Sequence, residues 1–346
     1  MTIRIAVVGA GFMGSAHARV LKRLVGEYPE LLSLEYIIDI DYEKAKRTAK
    51  LYGGVPLENT NLLPKGSVDL AIVATTTKHH YRVLEMLSDK DVGAFLIEKP
   101  LSGSLSETLE AIKLIEEQGL WVSVGHIERF NPAVRALNRK TIEGMLGDII
   151  TTISRRVGPF TARVMETDVI YDLGVHEIDI SLLLQGRLPA IVKGYTLKKL
   201  ATELTDYALI TLGYTGSFSS IEVNRVTPFK QRIMHVTGTK AAAFLDYITQ
   251  ELKVYTNEYE INVRIKRDEP LYIEDKDVVN ALREKRNPPI DVYQAFISIL
   301  LCEESFRSAS EKREIELDYT YNRFKDLVSK GVSNLAKYLD YVSSLK

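Results

Sequence analysis

Hydrophobic residues in the first 125 positions form short runs separated by longer amphipathic stretches. The runs are rich in β-branched residues and span positions 3–8, 34–38, 68–74, 94–97 and 121–124. Between them, apolar residues recur at helical spacing over positions 13–24, 42–51, 80–87 and 104–118. Strands that alternate with helices form parallel sheets, and burial on both faces makes such strands apolar throughout. The pattern predicts a doubly wound α/β domain over residues 1–125.

Beyond about residue 146, apolar residues alternate with polar ones, as in an antiparallel sheet with one covered face. The alternating segments span positions 148–157, 207–214, 217–225, 232–237, 242–247 and 251–255. The tetrapeptide YTGS at 214–217 predicts a hairpin turn. Helical patterns at 171–185 and 292–307 interrupt the strands. Residues 126–318 are therefore expected to form an α+β domain with an open, mostly antiparallel sheet.

The end of the chain and the open sheet both bear on assembly. Residues 319–346 place apolar side chains near helical spacing, which predicts an amphipathic terminal helix. One face of the open sheet needs cover, so we expect a homo-oligomer. The sequence does not decide between a dimer and a tetramer.

Length and composition place the chain among ordinary globular proteins. Its 346 residues suit two domains, and 45 basic against 46 acidic residues leave a net charge of −1. This balance gives no electrostatic reason to expect nucleic acid or an acidic membrane as a partner. Cys302 is the single cysteine, which excludes an internal disulfide framework and a multi-cysteine metal site. Without a leader-like segment or a run of about 18 apolar residues, a cytoplasmic location is expected.

A glycine pattern follows the first predicted strand. Gly9, Gly11 and Gly14 in VVGAGFMGSAHA have the spacing G-x-G-x-x-G at the start of the first helix. In dinucleotide-binding proteins the first glycine permits the tight turn, the second lets the backbone approach the pyrophosphate, and the third allows helix to pack closely on strand. The helix N-terminus presents N–H groups to the phosphates. Phe12 and Met13, in the same loop, are expected to contact the cofactor.

Asp39 ends the second predicted strand, in YIIDID, where an acidic residue would bind both hydroxyls of a ribose. Its charge would repel a 2′-phosphate, so NAD is expected rather than NADP. The alternative interpretation is a turn residue that starts the next helix.

The loop ATTTKHHYRVL at 74–84 is a second candidate contact with the cofactor. Thr75 and Thr76 would pass under the adenine-ribose side, although capping of the following helix explains them equally well. His80 is expected to pack in the core or to lie on the nicotinamide side. A metal bound by His79 and His80 is disfavoured, because adjacent side chains on a helix do not face one point.

The strand-like run at 94–97 ends in an ionic pair followed by proline, in GAFLIEKPLSG. Ligands bind at the carboxyl ends of strands in open α/β sheets, so Glu98 and Lys99 are expected to enter the cofactor crevice. Pro100 would hold Lys99 extended and could adopt a cis peptide bond. Lys99 could then hydrogen-bond the substrate hydroxyl that is oxidised. A solvated lysine at a strand end is the structural alternative.

Together, these motifs resemble the glucose-fructose oxidoreductase, inositol dehydrogenase and MocA-like family (Gfo/Idh/MocA). GAGFMG, EKPLS, GHIERFNPA and DLGVHEIDI occur in that family's order and spacing, and the resemblance runs from about residue 3 to about residue 318. It implies an NAD(P)-binding Rossmann domain and a second domain whose open sheet carries the substrate site and the oligomer interface. It also implies a dehydrogenase acting on CH–OH groups, in which Lys99 acts with Asp172 and His176.

Asp172 and His176 are four residues apart in YDLGVHEID, on one face of a predicted helix. His176 is the candidate general base for the hydroxyl proton, and Asp172 could orient it or tune its charge. A divalent metal bound by Asp172, His176 and Asp179 is a rival interpretation, although no metal is expected. A purely structural aspartate and histidine are the other alternative.

Polar residues near this helix are the candidates for substrate recognition. Arg129 and Asn131 lie in GHIERFNPA, and Arg155, Arg156 and Arg163 lie in SRRVGPFTARV. Guanidinium groups suit an anionic substrate such as a sugar-nucleotide pyrophosphate. Asn131 before a proline also has the sequence of a helix N-cap, and Arg129 could be structural at the domain junction.

Within the family, the motifs look most like the branch that oxidises the 3-hydroxyl of UDP-N-acetylglucosamine or a related sugar nucleotide. An inositol or free-sugar dehydrogenase is the second hypothesis, and it needs no pyrophosphate site. A non-catalytic NAD-binding sensor is the third, and it would need none of Lys99, Asp172 and His176.

Overall fold

The structure is a computed structural model, and it describes residues 2–160, 167–200, 203–319, 334–335 and 337–339. Contacts between residues divide the chain into two compact units. So far as these ranges are described, the first unit comprises Met1–Ile127, Glu269–Phe296 and Asp326–Leu335, and the second comprises Glu128–Asp268, Ile297–Lys325 and Ala336–Lys346. The sequence placed residues 269–296 in the second domain, whereas the structure packs them in the first unit. The predicted terminal helix at 319–346 lies largely outside the described residues.

Most predicted elements are present, with ends shifted by a few residues. The strands are β1 (Ile3–Val8), β2 (Leu32–Ile38), β3 (Val55–Leu57), β4 (Leu70–Val73), β5 (Ala94–Glu98), β6 (Trp121–Gly125), β7 (Ile149–Val157), β8 (Ile191–Leu197), β9 (Tyr207–Tyr214), β10 (Ser217–Asn224), β11 (Gln231–Gly238), β12 (Ala242–Asp246), β13 (Glu251–Tyr255), β14 (Glu260–Asn262) and β15 (Ile315–Glu316). The helices are α1 (Phe12–Glu27), α2 (Tyr42–Tyr52), α3 (His80–Ser88), α4 (Leu105–Gln118), α5 (Pro132–Ile142), α6 (Val175–Gln185), α7 (Pro270–Arg283) and α8 (Val292–Glu311). Of these, β3, β8, β14, β15 and α7 were not predicted, and α5 was anticipated only through the helix N-cap considered at Asn131. None of the helices in the described ranges is long and apolar enough to cross a membrane.

The first unit contains a six-stranded parallel sheet in the order β3-β2-β1-β4-β5-β6. This is the strand order of a dinucleotide-binding Rossmann fold. Every residue of β4 and β5 is buried, as expected for strands covered on both faces. The predicted doubly wound sheet is confirmed. β3 was not predicted, because it is only three residues long and contains Pro56.

α7 completes the core of the first unit. It contacts α1, and Leu271 and Val278 are buried in the same cluster as Val7 of β1 and Leu21 of α1. Burial of aliphatic side chains contributes about 1.5–3 kcal/mol each to the stability of the fold. The parallel sheet is therefore stabilised by a helix that lies far along the chain from it.

The second unit contains a nine-stranded sheet in the order β14-β13-β12-β11-β7-β10-β9-β8-β15. β7 and β10 pair in parallel, and all other pairs of this sheet are antiparallel. Alternate residues of β9 are buried from Ala208 to Tyr214, which is the predicted period of two. The predicted hairpin joins β9 to β10, with φ of 77° at Gly216. The mostly antiparallel α+β architecture is confirmed.

Helices cover one face of this second sheet. Met234 and Val236 of β11 are buried with Val134 of α5 and Ile180 of α6. On the other face, Ile153 of β7 and Phe218 of β10 are 48% and 42% exposed. Ile153 pairs with Ser220, two residues after Phe218, so both apolar side chains lie on the same face.

We propose that the chain forms a homo-oligomer through this exposed face. The double substitution Ile153→Glu and Phe218→Glu should convert the oligomer to monomers, because burying carboxylates without partners is costly. Size-exclusion chromatography with multi-angle light scattering measures the mass. Ile142→Glu is the control: Ile142 ends α5, is 78% exposed and should tolerate the charge without a change in mass. An oligomer that survives the double substitution would contradict this role for the face.

Candidate active site

The three glycines between β1 and α1 serve different purposes. Gly9 has φ of 94°, and a Cβ there would lie 2.6 Å from the carbonyl oxygen of Ala74. A Cβ on Gly14 would lie 1.6 Å from the carbonyl oxygen of Gly9, so α1 could not pack as it does. A Cβ on Gly11 would meet no protein atom within 4 Å. Protein packing explains Gly9 and Gly14, whereas Gly11 keeps the backbone open to a ligand.

A cleft of about 760 Å³ lies beside this loop, at the carboxyl ends of the parallel strands. Its size is within the range of cofactor pockets. The predicted contact residues that line it are Gly9, Gly11, Phe12, Met13, Asp39, Thr75, Thr76, His80, Glu98 and Lys99. Gly14 does not line the cleft, since it lies under Gly9. The open backbone at Gly11 and the shape of the cleft fit a dinucleotide.

Asp39 follows β2 and ties the end of that strand to the glycine loop. Its carboxylate accepts hydrogen bonds from Ala10 N at 2.6 Å and from Asp41 N at 2.8 Å. The cap of α2 is Asp41, whose side chain accepts from Lys44 N. Asp39 is therefore not the residue that starts the helix, and its place on the cleft wall suits the ribose role.

Thr75 and Thr76 lie where β4 meets the cleft. Thr76 is at the N-cap of a short 3₁₀ helix, Thr77–His79, but its side chain makes no capping hydrogen bond. The hydroxyl of Thr75 is buried and has no hydrogen-bond partner in the described part of the chain. A buried hydroxyl without a partner is costly, and a bound ligand would satisfy it. The capping alternative is thus weakened for both residues.

His80 connects the threonine loop to the segment after Lys99. Its buried ring has Nδ1 3.0 Å from Pro100 O and Nε2 3.1 Å from Thr75 O. Burial lowers its pKa despite these carbonyls, so the ring is neutral and donates to one carbonyl at a time. This geometry fits a packing role for His80 in the wall of the cleft.

Lys99 follows β5, and its backbone is held by the residue before it. The Glu98 carboxylate accepts a hydrogen bond from Lys99 N at 3.2 Å. The peptide bond between Lys99 and Pro100 is cis, the isomer that the sequence allowed. Lys99 lines the cleft rather than standing on an outer surface.

Glu98 is itself held by a buried histidine. Nε2 of His17 is 3.0 Å from Glu98 Oε1, and Nδ1 is 2.8 Å from Asp275 Oδ1. Burial alone would lower the pKa of His17, but the charges and hydrogen bonds of Asp275 and Glu98 outweigh it, so this pKa is raised well above 6.5. Both ring nitrogens therefore donate, as an imidazolium does.

The pKa values of the two carboxylates that flank His17 shift in opposite directions. Burial would raise the pKa of Glu98, but His17 and the neighbouring positive charges lower it overall. Burial raises the pKa of Asp275, and the charge of Glu98 adds to the increase. The cluster thus has two carboxylates for one imidazolium.

In the second unit, Asp172 lies in a π-helical turn, Ile170–Gly174, directly before α6. Its carboxylate accepts from Arg225 Nη2 at 3.2 Å. His176 is buried in the first turn of α6. The predicted helix is present, but neither the π turn nor Arg225 was predicted. Such turns are frequent at functional sites.

Arg156, predicted to bind substrate, is enclosed by protein. Its Nε donates to Glu177 Oε1 at 2.7 Å and its Nη2 donates to Glu128 Oε1 at 2.8 Å. Only 2% of the residue is exposed. Arg155, next to it, projects to the opposite face of β7 and pairs with Glu222 at 2.8 Å. Arg163 lies outside the described residues.

Arg129 and Asn131 also have protein partners. Arg129 binds both carboxylate oxygens of Asp179, at 2.8 and 2.6 Å. Asn131 caps α5 by accepting from Ala133 N, and its amide donates to Tyr247 O at 3.0 Å. These contacts favour the structural alternatives for both residues.

The metal hypothesis needed Asp179 together with Asp172 and His176. Arg129 takes up both oxygens of Asp179. Across the described ranges, no group of three or more His, Cys, Asp or Glu side chains is arranged to bind a metal ion.

The strand order and the glycine-lined cleft define the class: a dinucleotide-binding protein with a Rossmann fold. Residues 3–126 match the oxidoreductase family described as having an NAD-binding Rossmann fold, and residues 134–244 match the Gfo/Idh/MocA C-terminal domain. The chain belongs to the Gfo/Idh/MocA family of dehydrogenases, and its cofactor is NAD. The family resemblance seen in the sequence is confirmed.

Two relatives are named for a sugar nucleotide and for a cyclitol. A UDP-N-acetylglucosamine 3-dehydrogenase of Acidithiobacillus ferrooxidans is 28% identical over 255 residues, which are 73% of this chain and 77% of the relative. A scyllo-inositol 2-dehydrogenase (NAD(+)) of Bacillus subtilis is 27% identical over 256 residues, 70% of this chain and 73% of the relative. A solved structure of the Acidithiobacillus ferrooxidans enzyme has a TM-score of 0.81 at 24% identity, covering 90% of this chain and 99% of that one. At this identity the structural likeness shows the fold.

His17 and Asp275 were missed by sequence reasoning. His17 lies three residues after Gly14, and a histidine on the buried face of α1 was the available signal. Asp275 is 258 positions further on and gave no signal, because α7 was not recognised as a helix.

We expect Asp39→Ala to narrow the difference between the affinities for NAD and NADP. The substitution removes a charged hydrogen-bond acceptor, worth about 1.5–3 kcal/mol, and a charge that repels a 2′-phosphate. Calorimetric titration measures both dissociation constants. Glu43→Ala is the control, since it removes an acidic side chain of α2 that pairs with Lys46 and does not line the cleft, and it should leave the ratio of the two constants unchanged. The same ratio in Asp39→Ala and wild type would remove Asp39 from the ribose assignment.

We expect both ring nitrogens of His17 to keep their protons as the pH rises past 6.5, where an ordinary imidazole loses one, because its pKa is raised well above that value. Its stabilising effect should be complete below about pH 6.5 and decline as the pH rises through the folded-state pKa. Nitrogen NMR of histidine-labelled protein distinguishes an imidazolium from the neutral tautomers, and His17→Gln assigns the signals by their loss. A neutral His17 ring just above pH 6.5 would refute the conclusion that Glu98 and Asp275 share an imidazolium cation.

Proposed function

We propose that the chain is an NAD-dependent dehydrogenase that oxidises the 3-hydroxyl of a UDP-N-acetyl sugar. The observation that carries the proposal is the place of Lys99, which lines the cofactor cleft and has its backbone held by Glu98. A protein that only binds NAD needs no lysine there. The UDP-N-acetylglucosamine 3-dehydrogenase relative supports the substrate class.

The reaction divides its tasks among few side chains. Bound NAD supplies the acceptor for the hydride that leaves the hydroxyl-bearing carbon. His176 accepts the hydroxyl proton as general base, so that the alcohol becomes a ketone. The Lys99 ammonium donates a hydrogen bond to the reacting oxygen and stabilises its developing negative charge.

Asp172 acts in this scheme as a positioning residue. It lies one turn before His176, and its negative charge favours the protonated imidazole that forms during the reaction. Arg225 holds the carboxylate at 3.2 Å and thereby limits its rotation.

An inositol or free-sugar dehydrogenase is the second candidate, because the scyllo-inositol relative has a similar identity over a similar share of the chain as the sugar-nucleotide relative. The two candidates differ in the charge of the substrate. A diphosphate needs cationic partners, whereas an inositol needs none. Arg156 is occupied by Glu128 and Glu177, so a sugar nucleotide would require other cations.

A substrate panel separates the candidates. The protein is incubated with NAD and, in turn, with UDP-N-acetylglucosamine, UDP-N-acetylgalactosamine, scyllo-inositol, myo-inositol and glucose, while absorbance of reduced nicotinamide is followed. Turnover confined to the UDP sugars supports the proposal. Turnover confined to inositols or glucose supports the second candidate, and tight NAD binding without any turnover contradicts both.

We expect Lys99→Met to lower kcat about 10²–10⁴-fold while the dissociation constant for NAD changes by less than about threefold, since the lost interaction acts on the reacting oxygen. Steady-state kinetics and calorimetry measure the two quantities. Lys90→Met is the matched control: Lys90 donates to Asn61 O and does not line the cleft. A kcat for Lys99→Met close to that of Lys90→Met would reject the catalytic role.

A further inference from the structure

Two arginines stand directly opposite each other on the second sheet. Arg156 of β7 is in register with Arg232 of β11 in an antiparallel pair. Opposite residues share a face of the sheet, and like charges at such positions are destabilising. Met234 follows Arg232 on the same face and is buried in the core, so both arginines point to the face covered by helices.

The carboxylate oxygens of Glu128 and Glu177 around Arg156 already accept hydrogen bonds. Arg156 donates to Oε1 of Glu177 and to Oε1 of Glu128. The other Glu177 oxygen accepts from the hydroxyl of Tyr247 at 2.9 Å, and the other Glu128 oxygen accepts from the amide of Asn131 at 3.2 Å. All four carboxylate oxygens therefore have donors.

Arg232 has no acceptor of its own. Its Nη1 lies 3.8 Å from Glu128 Oε1, the oxygen already bonded to Arg156, and this is too long for a hydrogen bond. Within the described ranges its guanidinium donates no hydrogen bond, and 33% of the side chain is exposed. Burial and then the charge of Arg156 lower the pKa of Arg232, and the surrounding carboxylates only partly offset them.

Lys230 adds a further positive charge two residues before Arg232. It is exposed, and its pKa is lowered first by the charge of Arg232 and then by partial burial and Arg156. Three cations thus surround two carboxylates whose oxygens already have donors. An anion bound here would relieve the repulsion.

This cationic pair lies beside the helix that carries the proposed base. Glu177, which binds Arg156, follows His176 directly in α6. The charge of Asp172, in the preceding turn, also acts on Arg232. A molecule whose anionic group binds Arg232 would therefore have the rest of its structure near the start of α6.

We infer that Arg232 and Lys230 form an anion subsite for the charged group of the substrate. The chemistry is that of an oxyanion, either the diphosphate of a sugar nucleotide or the carboxylate of a uronate. A forked guanidinium paired with a flexible ammonium suits both. The inference rests on the proposed function. In it, Arg232 and Lys230 bind the substrate anion, which Arg156 cannot do because Glu128 and Glu177 occupy its guanidinium.

The test uses the full chain loaded with NAD. It is titrated calorimetrically with UDP and, separately, with glucuronate, and KM and kcat are measured for any substrate that turns over. Arg232→Gln and Lys230→Gln should each raise the dissociation constant of the bound anion and the KM at least about tenfold, while kcat changes less than about threefold. Arg155→Gln is the matched control, because it removes a cation from the neighbouring strand β7 on the other face of the sheet. Its constants should stay within about twofold of wild type.

Each outcome decides the matter. UDP binding that depends on Arg232 identifies a diphosphate site, and glucuronate binding that depends on it identifies a carboxylate site. If the wild type binds neither anion, or if Arg232→Gln behaves like Arg155→Gln, the subsite is rejected. Thermal melting confirms that the variants fold, and Lys230→Gln, which alters an exposed side chain, serves alone if Arg232→Gln does not fold.

The experiments can reject the anion subsite without rejecting the proposed reaction, and the reverse. Turnover of UDP-N-acetylglucosamine that is indifferent to Arg232 and Lys230 rejects only the subsite. Arg232-dependent binding of UDP without turnover of any sugar nucleotide supports the subsite and rejects only the proposed reaction.

Discussion

The first unit depends on one buried cation shared by two carboxylates. A buried charge without a partner costs several kcal/mol, so His17, Glu98 and Asp275 are stable inside the fold only when they are together. They belong to α1, β5 and α7, three elements distant in sequence. Glu98 gives one oxygen to His17 and the other to the backbone of Lys99. The glycine loop and the lysine are thereby fixed relative to each other.

Buried charges also form a cluster in the second unit, but there the positive charges are in excess. Around His17 there are two carboxylates for one cation, whereas Arg156, Arg232 and Lys230 lie beside Glu128 and Glu177, and Asp172, which also acts on Arg232, is paired with Arg225. A surplus of negative charge suits the oxidised nicotinamide, whose ring is cationic. A surplus of positive charge suits an anionic substrate. Each of these two clusters thus has a local charge surplus opposite in sign to the ligand group proposed for its unit.

The features that depend on residues close together in the sequence could be predicted from it. Contacts between residues from distant segments could not. The glycine loop, the hairpin at Gly216, the cap at Asn131 and the main strands each follow from residues a few positions apart. The partners of His17 and Arg156 come from other elements, and no local spacing specifies them. For this reason Arg156 looked like a substrate ligand, although the fold uses it to neutralise two buried carboxylates. Short edge strands such as β14 and β15 were missed because a few residues carry too little pattern.

The first unit is discontinuous along the chain, since Glu269–Phe296 joins it only after strands β7 to β14 of the second sheet have been synthesised. When Ile127 leaves the ribosome, the partner of His17 on α7 does not yet exist, and the part of α1 that packs against α7 is uncovered. The cofactor-binding unit therefore completes its folding late in translation. A fragment ending at Ile127 is an unfinished domain, and a transplantable version would need the α7 segment fused to it.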